Sequence, residues 1–279
     1  MRCGFHHREN SASCTQSRIR PFRVRLRSRP LTTTPDLSGR IALVTGASRG
    51  IGYFIAKGLA AAGAHVIAVA RTVGGLEELD DEIKAQGGGA ATLVPLDITD
   101  MAGLDRLGGS IHERWGKLDI LFANAAILGV IAPIGHVEAK VFEKVMAINV
   151  TSTWRLIRSV DPLLRASDAG RAILMSSGAA HSARAFWGPY AASKAAVEAL
   201  GRSWADETKN MPLRVNCVNP GATRTAMRAQ AMPGEDPMTL PHPSEVADKV
   251  LHLASPKLNE TGKIYDVATS KWIKYQLPN

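Results

Sequence analysis

Residues 41–62 confine the chain more tightly than any other stretch. Ile41-Ala42-Leu43-Val44 is a short apolar run with β-branched members and reads as a buried strand. Thr45-Gly46-Ala47-Ser48-Arg49-Gly50-Ile51-Gly52 follows, and Tyr53 to Ala62 reads as helix. Glycines let a backbone turn tightly and come close to a ligand. Free amides at a helix start, with the helix dipole, attract phosphate. The spacing departs from the G-x-G-x-x-G dinucleotide fingerprint, and no Lys-Ser/Thr pair ends it as in a P-loop. Taken alone, the turn is either a phosphate cradle or a purely structural strand-to-helix device.

The rest of the chain repeats this alternation. Strand-like runs fall at Ile41–Val44, His65–Ala70, Ala91–Pro95, Leu118–Phe122, Arg171–Met175, Leu213–Val218 and Lys263–Val267, with helix-like runs between them. Such alternation predicts an α/β fold with a parallel sheet and helices on both faces. About seven strands in one domain, residues 36–279, fit the length. Leu213–Val218 alternates imperfectly. No apolar stretch reaches the ~20 residues needed to span a bilayer.

Two tyrosines have a lysine four positions later, Tyr53/Lys57 and Tyr190/Lys194. Residues four apart are neighbours on a helix face. An ammonium beside a phenol favours the phenolate and lowers a pKa that is otherwise near ~10. The spacing alone is weak evidence; context separates the pairs. Ser177 lies thirteen residues before Tyr190, at the exit of the run Ala172-Ile173-Leu174-Met175, and Tyr190 opens an alanine-rich helix. A strand end and a helix face can therefore bring a hydroxyl, a phenol and an ammonium together. Tyr53 has no such company and reads as a helix surface residue.

Together these features resemble the short-chain dehydrogenase/reductase family. Its T-G-x-x-x-G-x-G turn matches Thr45 to Gly52, its Y-x-x-x-K pair matches Tyr190/Lys194, and its serine matches Ser177. Its asparagine matches Asn149, its N-N-A-G segment matches Ala123-Asn124-Ala125-Ala126, and its P-G stretch matches Pro220-Gly221. The resemblance runs from about Leu37 to about Val267 and decides for a strand at Leu213–Val218. Departures are Ala123 and Ala126 in the N-N-A-G segment and the lack of a glycine pair after the last strand. The first two touch cofactor fit, the last subunit packing.

The resemblance implies a doubly wound, Rossmann-like sheet with a nicotinamide cofactor across its strand ends. It implies an oxidoreductase that interconverts a carbonyl and an alcohol on a small molecule. Tyr190 would be the general acid/base, Ser177 would orient the reacting oxygen, and Lys194 would lower the tyrosine pKa and bind the cofactor ribose. Asn149, near a break in the helix after Val141–Met146, would hold a water linking Lys194 to solvent. Cofactor contacts would come from Gly46, Ser48, Arg49, Gly50, Ile51 and Gly52 in the turn. Further contacts would come from Asp97, Ile98, Asn124 and Ala125, and from Pro220, Gly221, Thr223 and Thr225. The second strand ends Val69-Ala70-Arg71 with no acid at its tip. An acid there would bind the 2′-hydroxyl of NAD, whereas arginine accommodates a 2′-phosphate. Arg71, with Arg49, therefore predicts NADP over NAD. Met227 to His242, rich in methionine and proline, would be a mobile lid over the substrate. The family implies a homodimer or homotetramer.

Charge is uneven. Residues 1–35 hold eight arginines and one acid, so they contribute +7 of the net +9. This arginine-rich tail is expected to be disordered. It is open to three readings: an extension without function, a targeting peptide, or a basic arm for nucleic acid or membrane. It lacks the apolar core of a secretory signal. Three cysteines and eight histidines form no metal or disulfide pattern, which makes a metal-free cytoplasmic protein the default expectation. A competing reading is a non-catalytic nucleotide-sensing regulator tethered to nucleic acid by the tail; the intact catalytic positions argue against it. A sugar-nucleotide epimerase fits poorly, because its glycine turn is spaced differently.

Overall fold

The computed structural model describes Met1, Gly4, residues 34–89 and residues 91–275. The expectation of a disordered tail over 1–35 lies almost wholly outside the described residues. Among the described residues, eight strands form one sheet: β1 (Ile41–Thr45), β2 (His65–Ala70), β3 (Thr92–Pro95), β4 (Ile120–Ala123), β5 (Arg171–Met175), β6 (Arg214–Asn219), β7 (Ile264–Asp266) and β8 (Lys271–Ile273). Their order is β3-β2-β1-β4-β5-β6-β7-β8. All neighbours pair in parallel except β7 and β8, which are antiparallel, with Tyr265 opposite Trp272. Every residue of β1 and β5 is buried, as expected for a sheet covered on both faces.

The connections are helical: α1 (Gly50–Ala61), α2 (Val73–Ala85), α3 (Met101–Trp115), α4 (Ala139–Met146), α5 (Ser152–Arg165), α6 (Ala179–Ser182), α7 (Gly188–Glu207), α8 (Ala226–Ala231) and α9 (Pro243–Val250). Local chemistry sets several ends. Asp100 caps α3 by accepting from the Gly103 amide at 2.9 Å, and Gly116, at φ +68°, ends it in the left-handed region. Pro189 sits in the first turn of α7, where its missing N–H costs nothing. Two apolar clusters fill the faces of the sheet. One gathers Val44, Ile55, Leu59, Leu79 and Val250; the other gathers Leu43, Leu104, Val160, Leu174 and Val215.

The chain runs out along β1, β2 and β3 and returns past β1 to β4. The loops after β1 and β4 therefore part at one end of the sheet, the switch point where such folds hold ligands. The α/β sheet of the sequence reading is present, with strand ends moved by one or two residues. The eighth strand is new. Asp266 makes its turn, with Oδ1 accepting from the Thr269 amide at 2.8 Å and the Thr269 hydroxyl at 2.7 Å.

Tyr53 is not a surface residue. It is 7% exposed, because α1 is covered by α2 and α9 as well as by the sheet. Burial, with Glu82 nearby, pushes its phenol up, and Lys57 Nζ meets Glu82 at 2.5 Å. The pair serves packing between α1 and α2. Residues 227–242 are also more ordered in design than a plain loop. They contain most of α8, a 3₁₀ turn at Pro237–Thr239, and a two-pronged Arg228–Glu235 ion pair at 2.6 and 2.7 Å. Among the described residues, no helix is long and apolar enough to cross a membrane.

Candidate active site

The glycine turn closes against β4. Thr45 Oγ1 accepts from the Asn124 and Ala125 amides at 3.0 and 3.1 Å, and Asn124 Nδ2 donates to the Thr45 and Gly46 carbonyls at 3.1 and 3.3 Å. Gly46 and Gly50 have φ of +68° and +61°, a region that suits glycine. A Cβ on Gly52 would lie 2.4 Å from both the Gly46 carbonyl oxygen and Asn124 Nδ2. The first turn of α1 thus lies on bare backbone. Arg49 precedes it in extended conformation with no side-chain cap and no acid in that turn, so the leading amides keep their donors. Ser48 and Ile51 flank this cradle.

Arg71 leaves β2 at the same end, exposed, with its guanidinium 3.6 Å from Asp97 Oδ2. The Thr99 amide and hydroxyl hold Asp97 below the usual carboxylate range. The N-terminus of α2 follows, again without side-chain cap or acid in its first turn. A Cβ on Gly75 would stand 2.8 Å from the Ser48 carbonyl oxygen, so α2 begins against the glycine turn. Arg49, Arg71 and two helix N-termini converge there. Ile98 and Ala125, with Thr45, Ser152 and Thr153, line a cavity of about 10 Å³ just inside.

On the far side of β1, α7 carries Tyr190 and Lys194 on one face, 7% and 3% exposed. Lys194 Nζ lies 5.8 Å from the centre of the Tyr190 ring and donates to the Met175 carbonyl at 2.7 Å. Ser177 is two residues beyond that carbonyl, at the exit of β5. Its hydroxyl accepts from the Ala179 amide at 3.2 Å. Burial lowers Lys194 to about 8. Burial also pushes the Tyr190 phenol up, with the Ser177 hydroxyl acting in the opposite sense. The expected depression of the tyrosine by Lys194 is therefore absent: desolvation dominates, and the ammonium spends a donor on Met175.

Asn149 lies in a single π turn, Ala147–Thr151, between α4 and α5, the break expected from sequence. Its side chain is fully engaged. Oδ1 accepts from the Ile127 amide at 2.9 Å, and Nδ2 donates to the Ile127 carbonyl at 2.9 Å and to Ser193 Oγ at 3.0 Å. Asn149 thereby ties the loop after β4 to α7. Its own carbonyl accepts from Thr153 Oγ1 at 2.8 Å.

Pro220, Gly221, Thr223 and Thr225 follow β6 at the same end of the sheet. Gly221 has φ +73°, and Thr225 caps α8 by accepting from the Arg228 amide at 3.2 Å. Asn219 was not singled out from sequence, yet it organises this corner. Its Oδ1 accepts from the Gly178 and Gly221 amides at 2.8 and 3.2 Å, and its Nδ2 donates to Asp266 at 2.7 Å. The Asn-Pro-Gly string was its only signal. All predicted catalytic positions, and the predicted cofactor contacts, thus border one end of the sheet.

Comparison with known proteins agrees with this geometry. Residues 40–236 match the family model of short chain dehydrogenases. The uncharacterized oxidoreductase YciK of Escherichia coli K12 is 39% identical over 233 residues, 82% of this chain and 92% of that protein. The 2,3-dihydro-2,3-dihydroxybenzoate dehydrogenase of Bacillus subtilis is 31% identical over 78% of this chain and 90% of its own length. The crystal structure of a short-chain dehydrogenase from Shigella flexneri 2a, complexed with NADP, superposes with a TM-score of 0.81 at 38% identity, covering 85% of this chain and 100% of that one. One from Escherichia coli CFT073, complexed with NADPH, gives 0.81 at 38% identity, covering 85% and 99%. The chain belongs to the short-chain dehydrogenase/reductase family of oxidoreductases.

Proposed function

We propose that the protein is an NADP(H)-dependent oxidoreductase that interconverts a carbonyl and an alcohol. The observation that carries this is the meeting of Tyr190, Lys194 and Ser177 at the strand ends, two sheet positions away from a bare glycine cradle. The cradle fits a dinucleotide: glycines leave no side chain over the α1 amides, and a phosphate can accept from them. Arg49 and Arg71 add positive charge beside two uncapped helix N-termini, which suits a further 2′-phosphate. The NADP and NADPH bound to the two crystal-structure relatives support the same choice. When bound, the nicotinamide supplies or takes the hydride.

The chain's own residues do the rest. Tyr190, buried and raised in pKa, is a protonated phenol at neutral pH and can give its proton to the oxygen of a carbonyl. Ser177 donates a hydrogen bond to that oxygen and fixes its place. Lys194, which donates to the Met175 carbonyl, would hold the ribose hydroxyls, and its charge favours the phenolate that Tyr190 becomes when it gives up its proton. Asn149 holds Ile127 and Ser193 with its amide, so a relay water would fall to its backbone carbonyl. The exposed apolar residues Ile134, Phe186 and Met238 suit a lipophilic substrate. A homo-oligomer in the cytoplasm completes the reading. The test is turnover of NADPH against a panel of aldehydes, ketones and quinones. Oxidation of NADPH by at least one carbonyl supports the reading; tight NADPH binding with no turnover across the panel overturns it in favour of a nucleotide sensor.

A further inference from the structure

Glu198 stands one helical turn beyond Lys194 on α7, and it is 3% exposed. Its Oε1 accepts from Ser176 Oγ at 2.5 Å. Its Oε2 lies 3.0 Å from His181 Nε2. Both partners belong to one short stretch, and they bracket Ser177. Burying a carboxylate is costly, and an apolar side chain of similar size usually serves stability as well or better. The cost calls for a return in local order.

Although α6 packs against α7, the bracketed stretch makes few hydrogen bonds outside itself. Ser176 N donates to the Val218 carbonyl at 2.8 Å, and Gly178 N donates to Asn219. Beyond these, α6 is a single turn. It runs into Ala183 and Phe186, whose φ of +40° and +74° put non-glycine residues in the left-handed region. Among the described residues, the His181–Glu198 contact is the one hydrogen bond from residues 179–185 to α7 or the sheet. Ser176 at one end and His181 at the other are thus pinned to the helix that carries Tyr190.

We propose that Glu198 is a positioning residue: by gripping Ser176 and His181 it fixes the segment between them and sets the Ser177 hydroxyl against Tyr190. The inference rests on the reading of Ser177 as the group that orients the reacting oxygen. Its sequence signal is thin, a glutamate four after the lysine and a second serine before Ser177.

The test uses the full chain and three variants, Glu198→Ala, Glu198→Gln and His181→Ala, with hydrogen–deuterium exchange, NADPH titration and carbonyl turnover. In Glu198→Ala the amides of residues 178–182 are expected to exchange about tenfold faster or more, the scale of one buried charged hydrogen bond. Exchange in β1, β5 and α7 stays as in the wild type, and NADPH affinity stays within about twofold. Turnover number falls about tenfold with little change in KM, the mark of a contact felt in the transition state. Glu198→Gln, which can still accept from Ser176, recovers most of both losses. His181→Ala, at the exposed end, shifts both readouts the same way by less. Unchanged exchange over 178–182, or faster exchange across the whole sheet without rescue by glutamine, overturns the proposal. Ser177→Ala separates the two readings. If it leaves turnover intact, the role of Ser177 fails whatever Glu198 does; if it abolishes turnover while Glu198→Ala does not reduce it, the positioning role alone fails.

Discussion

Replacing Lys194 by methionine should stabilise the protein at neutral pH while removing its activity. Burial lowers the ammonium from 10.5 to about 8. At about 1.36 kcal/mol per pH unit, that lowering is roughly 3 kcal/mol of penalty on the charged form. The sign follows from proton counts. Below pH 8 the lysine is charged in both folded and unfolded chains, and the fold carries the whole penalty. Between pH 8 and 10.5 the unfolded chain binds more protons than the native one, so wild-type stability gains with rising pH from this group. Methionine carries no such term. It loses the 2.7 Å hydrogen bond to the Met175 carbonyl, which offsets about 1–2 kcal/mol. Urea unfolding of both proteins at pH 7, 8, 9 and 10 reads the difference. At pH 7 the variant should lead by about 1–2 kcal/mol, and its advantage should shrink by about 2–3 kcal/mol as pH passes 10. A stability difference that is constant over this range would refute the claim that Lys194 is held against its own desolvation.

Three further outcomes follow from the geometry. Gly52→Ala places a methyl 2.4 Å from a backbone oxygen; it should cost about 1–3 kcal/mol, lower Tm in a thermal melt, and weaken NADPH binding because the cradle must open. Arg49→Ala together with Arg71→Ala should raise the Kd for NADPH by about tenfold or more and leave NADH within about twofold, since the two ligands differ only in the 2′-phosphate; equal weakening of both, measured by fluorescence titration, would remove the arginines from cofactor choice. Deleting residues 1–33 should leave Tm and turnover unchanged and abolish most salt-sensitive binding to polyanions, because seven of nine net charges leave with it; a lower Tm would make the segment part of the fold.

The sheet was legible because its central strands, such as Ile41–Thr45 and Arg171–Met175, are buried, mostly apolar runs between turn signals, and burial on both faces demands such runs; β6, with Arg214, Asn216 and Asn219, needed the family resemblance. β8 was missed because Lys271-Trp272-Ile273 is only three residues long and mostly exposed at a sheet edge, which leaves no pattern to read. Tyr53 was misplaced for a different reason: its neighbours on α2 and α9 come from distant parts of the chain, so no local period marks it as covered. The site positions were readable through motif spacing, which reports that a strand end and a helix start must meet. The balance of forces there was not. The tyrosine–lysine spacing suggests a lowered phenol pKa, yet depth of burial sets the direction, and only packing fixes that depth. Glu198 and Asn219 escaped because their partners, His181, Ser176, Gly178 and Asp266, acquire meaning only once β5, β6 and α7 lie side by side.

The central claim is that Tyr190 moves the proton while the cradle at α1 holds the cofactor, two separable tasks at one end of the sheet. Tyr190→Phe keeps the ring and removes only the hydroxyl, so single-turnover reduction of a carbonyl by bound NADPH, followed by stopped-flow absorbance, reads it directly. The account predicts a loss of about 100- to 10,000-fold in that step, with the Kd for NADPH within about twofold of the wild type and Tyr53→Phe reacting at the wild-type rate within the same margin. Wild-type turnover in Tyr190→Phe, or an equal loss from Tyr53→Phe, would contradict it.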